Sequence, residues 1–286
     1  MRMMAGRLRG TGALTIIGAL AFLCLAACQP KAPADPVPPH DSLTIESGAL
    51  GENRTINVYM PPGYADGAET YRVLYMPDGG VKEDFPHIAN TVDELIREGA
   101  IAPVLVVGIE NTERRRDLSP NSSTEADGEL APMDDGASVF RTFISMELIP
   151  EIESRYRVQP GRAIVGESLA GLFVVDTLMR EPDLFDRYIA MDPSLWWDDH
   201  ELVKRAPERL AGLAGKERVF WMSASGANDI MPHTEALAEA LKANAPADLI
   251  WTFEPRPKER HNTIFRATKE QAFREALWPT GSDPAR

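Results

Sequence analysis

A chain of 286 residues with 44% hydrophobic content is long enough to bury a full core in one sizeable domain, with no need of disulfides or metals. Its net charge of −13 favours solubility and argues against a nucleic-acid backbone as partner. The only cysteines, Cys24 and Cys28, leave no Cys-based metal site and no disulfide framework.

The first 28 residues read as a secretory signal. Arg2, Arg7 and Arg9 give a positive start, and residues 13–23 are apolar apart from Thr15 and Gly18. The stretch is short for a membrane-spanning helix. Its end, Leu25-Ala26-Ala27-Cys28, resembles a bacterial lipobox. That resemblance implies lipidation of Cys28, which becomes the first residue of the mature chain and anchors it to a membrane. Gln29 is not the aspartate that commonly retains such lipoproteins at the inner membrane, which implies the outer membrane facing the periplasm. The expected organisation is a signal peptide over 1–27, a proline-rich extended tether over 28–40 and a catalytic domain over 41–286.

Strands and helices then alternate. Short apolar or alternating runs at 54–60, 71–76, 104–109, 162–165, 188–191, 219–223 and 249–253 read as strands. Helical spacing marks 85–98, 137–156, 169–180, 200–213, 232–244 and 264–277. Between 110 and 136 lies a polar segment, long for a loop in a compact domain and so either disordered or functional. Continuous apolar strands separated by helices predict an α/β fold: a mostly parallel sheet with helices on both faces. Sites in such sheets sit at the carboxyl ends of the strands.

One strand end stands out. Residues 165–171 read VGESLAG, with Ser168 between a predicted strand and a predicted helix. Gly-x-Ser-x-Gly in that setting is a nucleophile elbow, the mark of an α/β-hydrolase. Ala170 replaces the second glycine, and Gly171 follows one place late. A serine hydroxyl needs a base to take its proton and donors to hold the oxyanion. In chain order the base follows the last strand, and of the five histidines only His261 does so. His200 reads as a solvated helix residue. Asp229 is the first carboxylate after the 219–223 strand and the first candidate for the acid, against Glu254, Glu259 or a Ser-His dyad with no acid. The expected oxyanion donors are the N–H of Leu169 and, from the glycine pair after strand 71–76, the N–H of Gly80. No metal or cofactor is implied, and nothing in the sequence fixes an oligomeric state.

The segments 71–79 (YRVLYMPDG), 108–120 (GIENTERRRDLSP), the elbow, 192–198 (DPSLWWD) and 260–264 (RHNTI) resemble the putative-esterase family, which includes S-formylglutathione hydrolase and the enterochelin and salmochelin esterases. The resemblance runs over about 43–277 in family order. It implies a serine esterase acting on a small-molecule ester, with a trilactone siderophore as the narrower alternative and an inert binding lipoprotein as the other. It also implies that residues 114–117 line the site. Arg116 is then either an anion-binding residue or one half of an internal pair with Asp117. Trp196 and Trp197 are either an aromatic wall or core. Asp192 stands where the family commonly has serine.

Overall fold

The computed structural model describes residues 35–281. The signal segment, Cys28 and residues 29–34 lie outside them. The proline-rich stretch does not run free to residue 40 as expected. Asp35 pairs with Arg266 at 2.5 Å, Asn90 donates to the Pro36 carbonyl at 2.8 Å, and the His40 ring meets Phe85 edge-on at 5.3 Å. Among the described residues no helix is long and apolar enough to cross a membrane.

Eight strands form one sheet: β1 (Asp41–Ser47), β2 (Glu52–Tyr59), β3 (Tyr71–Met76), β4 (Val104–Ile109), β5 (Val158–Glu167), β6 (Arg187–Met191), β7 (Arg218–Ser225) and β8 (Leu249–Arg256). Their order is β1-β2-β4-β3-β5-β6-β7-β8. β1 and β2 join antiparallel, and every pairing from β4 to β8 is parallel. This is the α/β-hydrolase fold. The apolar runs of β3 and β4 are buried at every position because helices cover both faces. Alternate residues serve the two layers. Val73 and Tyr75 enter one core with α5 (Leu169–Arg180), α6 (Trp197–Ala211) and α7 (Met231–Asn244), while Leu74 and Met76 enter the other with α1 (Phe85–Arg97) and α8 (Ile264–Ala276). Truncating a fully buried residue such as Leu74 to alanine would cost about 2–5 kcal/mol.

Three differences from the sequence pattern have local causes. β1 escaped notice because it is an edge strand, largely exposed, with Leu43 and Ile45 half-buried and Ser47 alone buried. The single helix expected over 137–156 is α3 (Gly136–Phe143), a π-turn (Ile144–Leu148) and α4 (Ile149–Arg155). Pro150 sits in the first turn of α4 and has no N–H to offer the preceding turn, which widens there. The polar 110–136 segment is ordered. It holds a short helix, α2 (Arg114–Leu118), and a 3₁₀ turn (Glu125–Glu129).

The order reverses at β3, with β4 on one side and β5 on the other. That switch point puts the ends of β3, β5 and β6 side by side, and it is where an open α/β sheet forms its crevice.

Candidate active site

At the ends of those three strands Asp78, Ser168 and Asp192 have φ of 55°, 61° and 50°. Left-handed backbone at a non-glycine residue costs about 1–3 kcal/mol and is held only where the surroundings enforce it. At Ser168 the enforcement is steric and hydrogen-bonded. The Ser168 N–H donates to the Met191 carbonyl at 3.0 Å. A Cβ on Gly166 would lie 2.5 Å from the Ala170 carbonyl oxygen, so the chain can reverse there only with glycine. Ala170 itself fits. Gly171 has a separate duty: a Cβ there would sit 3.0 Å from both the Met191 carbonyl oxygen and Pro193 Cα, crowding the turn after β6.

The structure brings Ser168 and His261 together. His261, on the loop between β8 and α8, places Nε2 2.9 Å from Ser168 Oγ. Its Nδ1 meets Asp192 Oδ2 at 2.6 Å. That carboxylate has no exposed surface. Ser225, at the end of β7, donates its N–H to Oδ1 at 2.5 Å and its hydroxyl to Oδ2 at 2.8 Å. The bond to Asp192 raises the pKa of His261, with burial opposing and Glu167 and Asp229 adding weaker attraction for the proton.

Asp192 therefore replaces Asp229 as the partner of His261. Asp229 is exposed in the turn after β7 and makes no hydrogen bond to the imidazole. Glu254 is engaged by Arg256 and Gln271, and Glu259 accepts from Thr263 at 2.6 Å. The partner of His261 thus comes from the end of β6, one strand before the β7 end that carries Asp229. Asp192 is the first residue past β6, and what brings it to His261 is the pairing of β6 beside β5, the strand that leads into Ser168. Ser194 was missed as well. It is buried, donates its N–H to the Ser168 carbonyl at 3.0 Å, and sets its hydroxyl 3.4 Å from Ser168 Oγ.

Leu169 opens α5, so its N–H is one of the first-turn donors that no helical carbonyl takes. Gly80 is different. Its N–H donates to Glu83 Oε2 at 2.7 Å, so the expected second oxyanion donor is already engaged. Glu83 also accepts from the Asn111 side chain at 3.0 Å, and burial raises its pKa. Asn111 and Arg114 both reach Asp78, Arg114 with two bonds of 2.6 and 2.7 Å. This network ties α2 to the segment after β3.

Arg114, rather than Arg116, is the arginine on the site's side of α2. Arg116 is taken by Glu52 at 2.8 Å and Asp117 at 2.7 Å, and the buried Arg54 pairs with the same two acids. Arg116 thus orders the loop instead of waiting for a ligand. Trp197 is buried, with its indole N–H on the Pro120 carbonyl at 3.0 Å, and is core. Trp196 is half-buried and packs at 6.1 Å from Trp197. Glu167, beside Ser168, has its pKa raised to about 7 by burial, with Asp84, Asp192 and Asp78 adding to the effect and His261 opposing it. Among the described residues no group of His, Cys, Asp and Glu is arranged to hold a metal.

The model of the Putative esterase family matches residues 47–278. The chain belongs to that family. As a member it is a carboxylic ester hydrolase. It is 28% identical over 259 residues to the ferri-bacillibactin esterase BesA of Bacillus subtilis, covering 80% of this chain and 87% of that protein. The iron(III) salmochelin esterase of an Escherichia coli strain is 26% identical over 183 residues, 60% of this chain and 38% of that one. Among solved structures, an IroE-like serine hydrolase from Shewanella oneidensis superposes with a TM-score of 0.77 at 28% identity, covering 82% of this chain and 79% of its own.

Proposed function

We propose that this esterase hydrolyses a small-molecule carboxylic ester through an acyl-enzyme on Ser168. The unbroken chain from Ser168 Oγ through the imidazole of His261 to the buried Asp192 carries the proposal. His261 Nε2 takes the hydroxyl proton as Oγ attacks the ester carbonyl. The Leu169 N–H faces the developing oxyanion. His261 then gives its proton to the leaving alcohol. Water, deprotonated by the same nitrogen, attacks the acyl-enzyme and releases the acid. Asp192 holds Nδ1–H, which keeps Nε2 free to accept, and stabilises the imidazolium between steps.

A cyclic triester siderophore is the second reading, favoured by the similarity to the ferri-bacillibactin esterase over 80% of the chain. The site's own charges favour a less anionic ester. Asp78, Glu83, Asp84 and Glu167 gather beside it, and Arg114 is held by Asp78. The deciding experiment compares kcat/KM for short-chain p-nitrophenyl esters with that for a ferric triester siderophore, by stopped flow and product analysis. A burst of about one equivalent of p-nitrophenol supports the acyl-enzyme. No hydrolysis of either class contradicts it. A preference of orders of magnitude for the ferric triester selects the second reading.

We also propose a place in the cell envelope, with the chain anchored through Cys28. Its support is the charged and apolar start followed by Leu-Ala-Ala-Cys. Palmitate incorporation that persists in Cys28→Ala would contradict it.

A further inference from the structure

Away from Ser168, α5 and α6 face each other across a cavity of about 480 Å³. From α5, Leu172, Asp176 and Arg180 line it, four residues apart on one helical face. Glu201, Arg205 and Arg209 answer from α6 with the same spacing. Asp176 is two helical turns past Ser168, on the order of 12 Å along the axis, and Arg180 is a further turn on. Neither Ser168 nor His261 is part of the lining.

One wall is held in strain. Asp198, Asp199 and His200 are three consecutive left-handed residues, with φ of 51°, 47° and 53°. Residues other than glycine rarely adopt such backbone, and it persists only where the surroundings enforce it. Two sets of bonds hold it. The Asp198 carboxylate accepts from the Ser123 N–H at 2.8 Å and the Ser123 hydroxyl at 2.9 Å, and the Asp198 N–H donates to Asp127 at 2.8 Å. The left-handed turn precedes the face of α6 that carries Glu201, Arg205 and Arg209 to the cavity lining.

The charges lining the cavity are paired with one exception. Asp176 is held by Arg141 at 2.6 Å and by Arg180 at 2.8 Å. Glu201 is held by Arg205 at 2.8 Å, and Asp198 by the Ser123 donors. Arg209 is half-buried, and its guanidinium has no hydrogen bond or ion pair among the described residues. In a chain of charge −13 this is a cation without a partner on the lining of the cavity.

We propose that the cavity between α5 and α6 binds a small organic acid, its body in the cleft between the two helices and its carboxylate on the guanidinium fork of Arg209. A planar carboxylate matches the fork with two parallel bonds, and the volume falls within the range of small-molecule sites. The site is separate from the ester-hydrolysing centre.

The test uses 4-bromobenzoate on the full domain. Titration calorimetry should give saturable binding below about 10 mM, absent for the neutral 4-bromobenzamide. Arg209→Ala should weaken it by about tenfold or more, the loss expected of a charge-assisted pair, and Arg209→Lys by less. Unchanged thermal midpoints of both variants show that the fold is intact. Bromine anomalous density in a soaked crystal should lie between α5 and α6. Density there without saturable titration means binding at crystal concentration only and overturns the proposal. So does density only in the Ser168 crevice, absence of binding, or affinity indifferent to Arg209→Ala.

Discussion

Replacing Asp192 by asparagine tests the roles within the site with almost no change of shape. The carboxylate has no exposed surface, and its oxygens serve two partners: Oδ1 accepts from the Ser225 N–H, and Oδ2 accepts from the Ser225 hydroxyl and from His261. An asparagine that keeps its oxygen on the Ser225 N–H turns its NH₂ towards His261 Nδ1. Nδ1 must then be unprotonated, the proton moves to Nε2, and Nε2 can no longer accept from Ser168. Loss of that tautomer in a serine triad lowers kcat by about 10⁴-fold, ~5.5 kcal/mol of transition-state stabilisation. The acid limb of the pH profile should also move down, because the bond that raises the His261 pKa is gone. Asp229→Asn is the control. It removes an exposed carboxylate and should leave kcat within about twofold. Initial rates of p-nitrophenyl acetate hydrolysis from about pH 5 to 9, with circular dichroism to confirm folding, measure both. The reasoning fails if Asp192→Asn stays within about tenfold of wild type. It fails equally if Asp229→Asn takes the large loss.

Glu167→Gln should raise the thermal midpoint in a pH-dependent way. The folded carboxyl ionises only at about 7 against 4.5 for a free glutamate, so wild-type stability falls between those values and is level above. The gap between variant and wild type should open over that window and then hold, and a constant gap would contradict the assignment. The variant should also lower the His261 pKa, read as a downward shift of the acid limb of kcat/KM. Arg116→Ala should lower the melting temperature, since it breaks the Glu52 and Asp117 pairs, while KM changes by less than about twofold. A selective rise in KM would return Arg116 to substrate binding. Gly171→Ala should press the added methyl on Met191 and Pro193, costing about 1–3 kcal/mol and lowering kcat by shifting the turn that carries Asp192. Unchanged stability and kcat would contradict that packing.

The buried parts of the fold were legible in the sequence because a strand covered on both faces has little freedom of composition. β3, apolar apart from Arg72, and β4, VLVVGI, were placed to the residue. The edge strand β1 buries too little to leave a pattern. The pair at the centre was legible for a different reason: the tight turn around Ser168 demands small neighbours, and His261 is the one histidine past the last strand. Asp192 was not legible as the partner of His261 because a strand-end aspartate looks the same whether it faces a histidine or solvent. Its identity depends on β6 lying beside β5 and on Ser225 arriving from β7, both properties of the pairing. Arg116 shows the converse. Its sequence setting suited an anion site or a pair with Asp117; the structure makes that pair and adds Glu52, 64 positions away, which no local pattern announces.

The central claim is that Ser168 is the nucleophile of an ester hydrolase. It is tested most directly by reacting the protein with a fluorophosphonate and locating the adduct by peptide mass spectrometry. The account predicts one phosphonyl group per chain, carried on Ser168, with loss of esterase activity in proportion to labelling and no label on Ser168→Ala. An unlabelled wild-type protein, or equal labelling of Ser168→Ala, would contradict it.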